Sequence, residues 1–226
     1  MAANFAETLE HLQPEFEKIS GHRLRAVVGS TGKLYAQIIN GAPFDVFLSA
    51  DQERPQRLVD AGLAVPASRF TYATGELILW TADETRDLGN GAKALAAQNF
   101  RKIAIPNPQL APYGAAAQQV LEKLGLWQVL QGRIVMGENV GQTYSLVASG
   151  NAEIGFVSQS SYLSVSNGKQ GVFWAPSTED HAPIHQDAVV LKRAVKNPAA
   201  AAFVAFLKGD EAQTVLKRFG YREDDR

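Results

Sequence analysis

Four short junctions in the sequence carry residues able to hold an anion without bringing a full positive charge. In Gly29-Ser30-Thr31-Gly32-Lys33-Leu34, two hydroxyls stand between glycines, just before a helical pattern at Leu34, Ile38 and Ile39. The first turn of a helix has unpaired N–H groups and the positive end of the macrodipole, so an anion placed there gains both. Ala3-Asn4 stands before the helical face Phe5, Leu9, Leu12, Phe16 and Ile19; Pro112-Tyr113-Gly114 and Asn139-Val140-Gly141 stand before two later helical runs. Ser158 directly follows the strand pattern Ala152–Val157 and adds a hydroxyl at a comparable place. Capping of the helix explains Ser30 or Thr31 equally well when that turn is taken alone. Four such turns, two in each half of the chain described below, point instead to neutral donors converging on a cleft.

Other chemistries fit less well. Gly-Ser-Thr-Gly-Lys resembles half of a nucleotide phosphate loop, but Leu34 stands where a Ser or Thr should hold magnesium, so Lys33 reads as a surface residue. His11, His22, His181 and His185 lack metal-ligand spacing, and no two carboxylates are paired for acid–base work. No Gly-x-Ser-x-Gly elbow occurs. Trp80, Trp127 and Trp174 read as packing residues, while Tyr144, Tyr162 and the serines after Ser158 are polar enough to face a cleft.

Helix and strand patterns alternate along the chain. Asn4 with Glu7 reads as a capping box opening a helix that Gly21 stops. Leu24, Ala26 and Val28 alternate with Arg23, Arg25 and Val27, which predicts a strand; Phe44–Ala50 is a buried one. Helices are expected near 52–61, 91–98, 114–124, 141–148 and 158–165, and strands near 102–105, 133–136 and 152–157. Asn197-Pro198 opens the first of two closing helices. Such alternation predicts an α/β fold with parallel sheets covered by helices. The extended runs 71–80 and 184–191 have no turn motif inside them and can carry the chain between lobes. They set the expected domains: residues 1–76 plus 182–226 as one lobe, and 77–181 as the other. No internal repeat is visible.

Composition narrows the function classes. A chain of 226 residues with formal net charge −1 has no basic field for nucleic acid, and no apolar run spans a bilayer. Without cysteine there is neither disulfide nor thiolate, which suits an oxidising compartment. No signal-peptide pattern precedes the first helix.

The segments Gly29–Ile38, Asn40–Asp51, Ser68–Ala73, Asn107-Pro108, Ala111–Gly114, Asn139–Gln142 and Gly155–Val157 resemble, in order, the periplasmic molybdate-binding proteins of bacterial ABC importers. The resemblance implies a class-II periplasmic-binding fold whose two lobes close on molybdate or tungstate at a pair of hinge crossovers. It implies delivery of the anion to a membrane permease, a periplasmic monomer, and no enzyme activity or cofactor. Carried over by motif, the oxyanion-binding positions are Asn4, Thr31, Tyr113 and Val140, with Ala3, Ser30 and Ser158 beside them. The metal would be met only through its oxygens, with no direct metal-ion ligand. In relatives a signal peptide and then a short strand precede the Asn4 turn; here Met1 takes the place of that strand, so the expectation is either a sequence that begins late, a strand supplied otherwise, or an unfilled central position in the first sheet. Sulfate or phosphate binding, and an enzyme acting on a phosphorylated substrate, are the alternative expectations.

Overall fold

The computed structural model describes residues 1–164 and 171–222. The chain divides into two compact units, Met1–Gly75 with His185–Arg226, and Glu76–Ile184. It passes from one to the other within each of the two extended runs. The first run is two strands, β2 (Phe70–Gly75) and β3 (Leu77–Thr81), and the second is β8 (Ile184–Val190).

The first unit begins with a 3-10 turn, Ala3–Phe5, that runs into α1 (Ala6–Ser20). The expected capping box does not form. Ala2 and Phe5 are the capping positions, and the Asn4 side chain is drawn into the interior instead. Helices α2 (Thr31–Ile39) and α3 (Glu53–Asp60) flank the short strand β1 (Val46–Leu48). After β8 the chain closes with α9 (Pro198–Lys208) and α10 (Asp210–Arg218). The apolar spacing of α1 has its reason in this packing: Phe5, Leu9, Leu12 and Phe16 are buried with Phe203, Phe206, Leu216 and Phe219. Phe16 meets the Phe203 ring edge-on at 5.2 Å.

The sheet of this unit has the order β1-β8-β2, and β1 runs antiparallel to β8 with Phe47 opposite Val189. The expected strand over 23–28 is not part of it. Only Gly29 is bridged, in parallel, to Ala2. Alternation alone does not make a strand when the next position in the sheet supplies no ladder, and Val27 and Val28 stand 46% and 49% exposed.

The second unit carries α4 (Gly91–Ala97), β4 (Ile103–Pro106), α5 (Pro112–Lys123), α6 (Trp127–Leu130), β5 (Ile134–Gly137), α7 (Val140–Ala148), β6 (Ile154–Ser158), α8 (Gln159–Leu163) and β7 (Val172–Trp174). The expected end of α8 at Val165 lies outside the described residues. Its sheet has the order β5-β4-β6-β3-β7. β4 is parallel to both β5 and β6, whereas β3 is antiparallel to β6 and β7. This sheet is therefore mixed, and the first pairs β1 and β8 antiparallel, where parallel sheets were expected; strands next to the crossings enter from the opposite direction. Trp80 is buried and stacks on Tyr144 at 4.6 Å, and Trp174 lies over Gly91, where a Cβ would fall 2.1 Å from its ring.

Candidate functional site

In the first unit, Ser30 and Thr31 have different jobs. Ser30 is the N-cap of α2, its hydroxyl oxygen accepting the Lys33 N–H at 3.3 Å. Thr31 is the first helical residue, 1% exposed, and its Oγ1 accepts the Ala50 N–H at 3.0 Å. That bond pins the loop after β1 to the start of α2. It also occupies the oxygen as an acceptor while leaving the hydroxyl proton to be donated. The neighbouring carboxylate, Asp51, accepts from the Ser49 hydroxyl and is ion-paired with Arg54.

Asn4 lies on the buried side of the same region. Its Nδ2 donates to Gln186 Oε1 at 2.8 Å and to the Tyr221 hydroxyl at 3.1 Å. Tyr72 donates to the same Gln186 oxygen at 2.9 Å, and Tyr221 donates to the Asn4 carbonyl at 2.8 Å. This closed network fixes the 3-10 turn from below, with the Ala3 N–H donating to the Gly29 carbonyl above. Glu7, one turn on, has its carboxyl pKa raised by burial, partly offset by a hydrogen bond to its own backbone N–H. A buried charge is thereby disfavoured close to the turn.

In the second unit, topology gathers the remaining candidates. β4, β5 and β6 are mutually parallel in order, so the helices that follow them start at one edge of the sheet. Tyr113 is in the first turn of α5, buried, behind Pro112 at the position where a missing N–H costs nothing. Gly114 allows α5 to begin against the strand end, since a Cβ there would sit 2.3 Å from the Pro106 carbonyl oxygen. Val140 is the first residue of α7, whose Asn139 cap accepts the Gln142 N–H at 2.9 Å. Ser158 caps α8 and is fully buried; its oxygen meets Ser160 Oγ at 3.0 Å and Ser161 Oγ at 2.9 Å. Its hydroxyl is thus part of a serine cluster.

The structure brings Ala3, Asn4, Ser30 and Thr31 together in the first unit, and Tyr113, Val140 and Ser158 to one sheet edge in the second. Reading the residues in order missed Ala50, Gln186, Tyr72 and Tyr221, which hold the first set in place. One signal for Gln186 was present: Gln186-Asp187 is a polar pair inside the apolar strand Ile184–Leu191. Among the described residues there is no cluster of His, Asp or Glu placed for a metal ion. No helix among them is long and apolar enough to cross a membrane.

Comparison with known proteins gives one consistent picture. Residues 1–222 match the model of the bacterial extracellular solute-binding protein family. A molybdate-binding protein of Azotobacter vinelandii is 44% identical over 221 residues, covering 98% of this chain and 87% of that protein. One from Rhodobacter capsulatus is 41% identical, covering 98% and 86%. The solved periplasmic molybdate-binding protein of Azotobacter vinelandii superposes with a TM-score of 0.92 at 42% identity, covering 99% of this chain and 97% of that one. The chain has that periplasmic-binding fold and belongs to the bacterial extracellular solute-binding protein family, within which it groups with the molybdate-binding proteins.

Proposed function

We propose that this protein binds molybdate, with tungstate as an equivalent ligand, and hands it to the permease of an ABC importer from the periplasm, acting as a monomer without catalysing a reaction. The observation that carries this reading is the strong likeness to two molybdate-binding proteins across nearly the whole chain. The helix starts at Asn4, Thr31, Tyr113 and Val140 supply the donors, with Ala3, Ser30 and Ser158 supporting them. Neutral donors suit a doubly charged oxyanion, because helix dipoles, N–H groups and hydroxyls replace its hydration without a buried cation. Bonds of this charge-assisted kind contribute about 1.5–3 kcal/mol each. After desolvation and ordering, several of them are enough for nanomolar binding, about −12 kcal/mol.

Thr31 also bears on selectivity. Because Ala50 N–H already occupies its oxygen, Thr31 has a proton to offer and little capacity to accept one. A protonated oxyanion such as hydrogen phosphate would bring an O–H to donors only. Molybdate, tungstate and sulfate carry no proton near neutral pH, and sulfate is disfavoured by its smaller reach. Titration calorimetry with the four anions tests the reading. Tight molybdate and tungstate, weaker sulfate and rejected phosphate are expected; phosphate binding as tight as molybdate would overturn it.

A further inference from the structure

Tyr72 stands on β2, buried, with its ring edge-on to Phe5 at 5.1 Å. Its hydroxyl donates to Gln186 Oε1 at 2.9 Å and to the Ser49 carbonyl at 3.3 Å. One proton with two acceptors makes a three-centre bond, in which the Ser49 arm is the longer. The Ser49 carbonyl belongs to the same peptide group as the Ala50 N–H, which donates to Thr31 Oγ1 at 3.0 Å. Ser49, Ala50 and Thr31 are all buried.

A peptide group is rigid and planar, and none among the described residues is cis, so its C=O and N–H point in opposite directions. Tyr72 therefore grips one end of a short plate whose other end grips Thr31. Tilting the plate to release the carbonyl also turns the Ala50 N–H away from the Thr31 oxygen. The backbone bond from the Ser49 N–H to the Asp187 carbonyl, at 2.9 Å, fixes where the loop lies. Rotation of the next peptide, about ψ of Ser49 and φ of Ala50, is left to Tyr72 and Thr31 to set. The donors also run one way: Tyr72 O–H to the carbonyl, Ala50 N–H to Thr31 Oγ1, and the Thr31 O–H onward. Hydrogen bonds in such a series polarise one another, and each makes the next proton easier to give.

We propose that Tyr72 is a positioning residue for the oxyanion, aligning and polarising the Thr31 hydroxyl through the Ser49–Ala50 peptide. This role rests on the reading of Thr31 as a donor to molybdate. A bond that only fastens β2 to β8 has no such reach. Thr74, two residues along β2, makes a bond of that kind: its hydroxyl lies 3.0 Å from His185 Nδ1, and its backbone pairs with Arg222.

Tyr72→Phe deletes the hydroxyl and keeps the ring, and Thr74→Val is its control. In molybdate calorimetry on the whole protein, Tyr72→Phe should bind about three- to tenfold more weakly, the worth of one net hydrogen bond, and Thr74→Val should bind as the parent does. In the Thr31→Ala background the Tyr72→Phe loss should vanish, because a residue acting through Thr31 has nothing left to align. Nuclear magnetic resonance of the ligand-free proteins should show the Ala50 amide proton moving upfield and exchanging faster in Tyr72→Phe but not in Thr74→Val. Should Tyr72→Phe fold poorly, the parent alone decides: saturation with molybdate should move the Ala50 amide proton downfield, as Thr31 gives its proton and its oxygen becomes a better acceptor. Undiminished affinity in Tyr72→Phe, an equal loss in Thr74→Val, a loss that persists after Thr31→Ala, or an unmoved Ala50 amide would each overturn this role, while a tight-binding parent leaves the functional reading standing. No molybdate binding by the parent would overturn both.

Discussion

Replacing Thr31 tests the helix-start account at its best-defined atom. Its Oγ1 is the acceptor for the Ala50 N–H at 3.0 Å, and the two residues are 1% and 2% exposed. Thr31→Val keeps the shape and deletes the hydroxyl, so a buried N–H is left without a partner, at a cost of about 1–3 kcal/mol. In a chain of this size that lowers the melting temperature by about 2–4 °C per kcal/mol. The same substitution removes one charge-assisted bond to the ligand, worth about 1.5–3 kcal/mol, or roughly ten- to hundredfold in affinity. Thr31→Ala should behave likewise, while Thr31→Ser, which keeps the oxygen, should bind within a few-fold of the parent. Denaturant titration without ligand reads the first effect, and molybdate calorimetry on the folded variants reads the second. A Thr31→Val protein with parental stability would refute the bond to Ala50; parental molybdate affinity would refute Thr31 as a donor.

Gln186→Leu should also lower stability, since the Asn4 amide and the Tyr72 hydroxyl lose their common buried acceptor. About 1–3 kcal/mol is expected, because the Asn4 amide keeps the Tyr221 hydroxyl and the Tyr72 hydroxyl keeps the Ser49 carbonyl at 3.3 Å; the loss is measured as a shift of the denaturant midpoint, and an unchanged midpoint would contradict the network. Lys33 is exposed beyond the Ser30 cap, so Lys33→Ala should change molybdate affinity by less than about 1 kcal/mol; a larger loss would make it a direct ligand.

Much of the molecule was legible along the chain because it depends on neighbours in sequence. The spacing of Phe5, Leu9, Leu12 and Phe16 set the buried face of α1, and Asn197-Pro198 set the start of α9. Gly29-Ser30-Thr31-Gly32 marked a helix start with hydroxyls on it, and the long segments shared with the molybdate-binding proteins identified the family. Tertiary structure decided how those residues are used. Ser30 and Thr31 are interchangeable as caps in sequence; the N–H of Ala50, nineteen residues away, settled their roles. Asn4 has the local chemistry of an N-cap, but once buried its amide needed acceptors, and Gln186 and Tyr221 supplied them from across the chain. The alternation at 23–28 predicted a strand that a single bridge at Gly29 replaces, because a strand exists only where another backbone completes its hydrogen bonds. Sheet direction was hidden for the same reason: each strand's sense follows from where the chain re-enters, which no local pattern records.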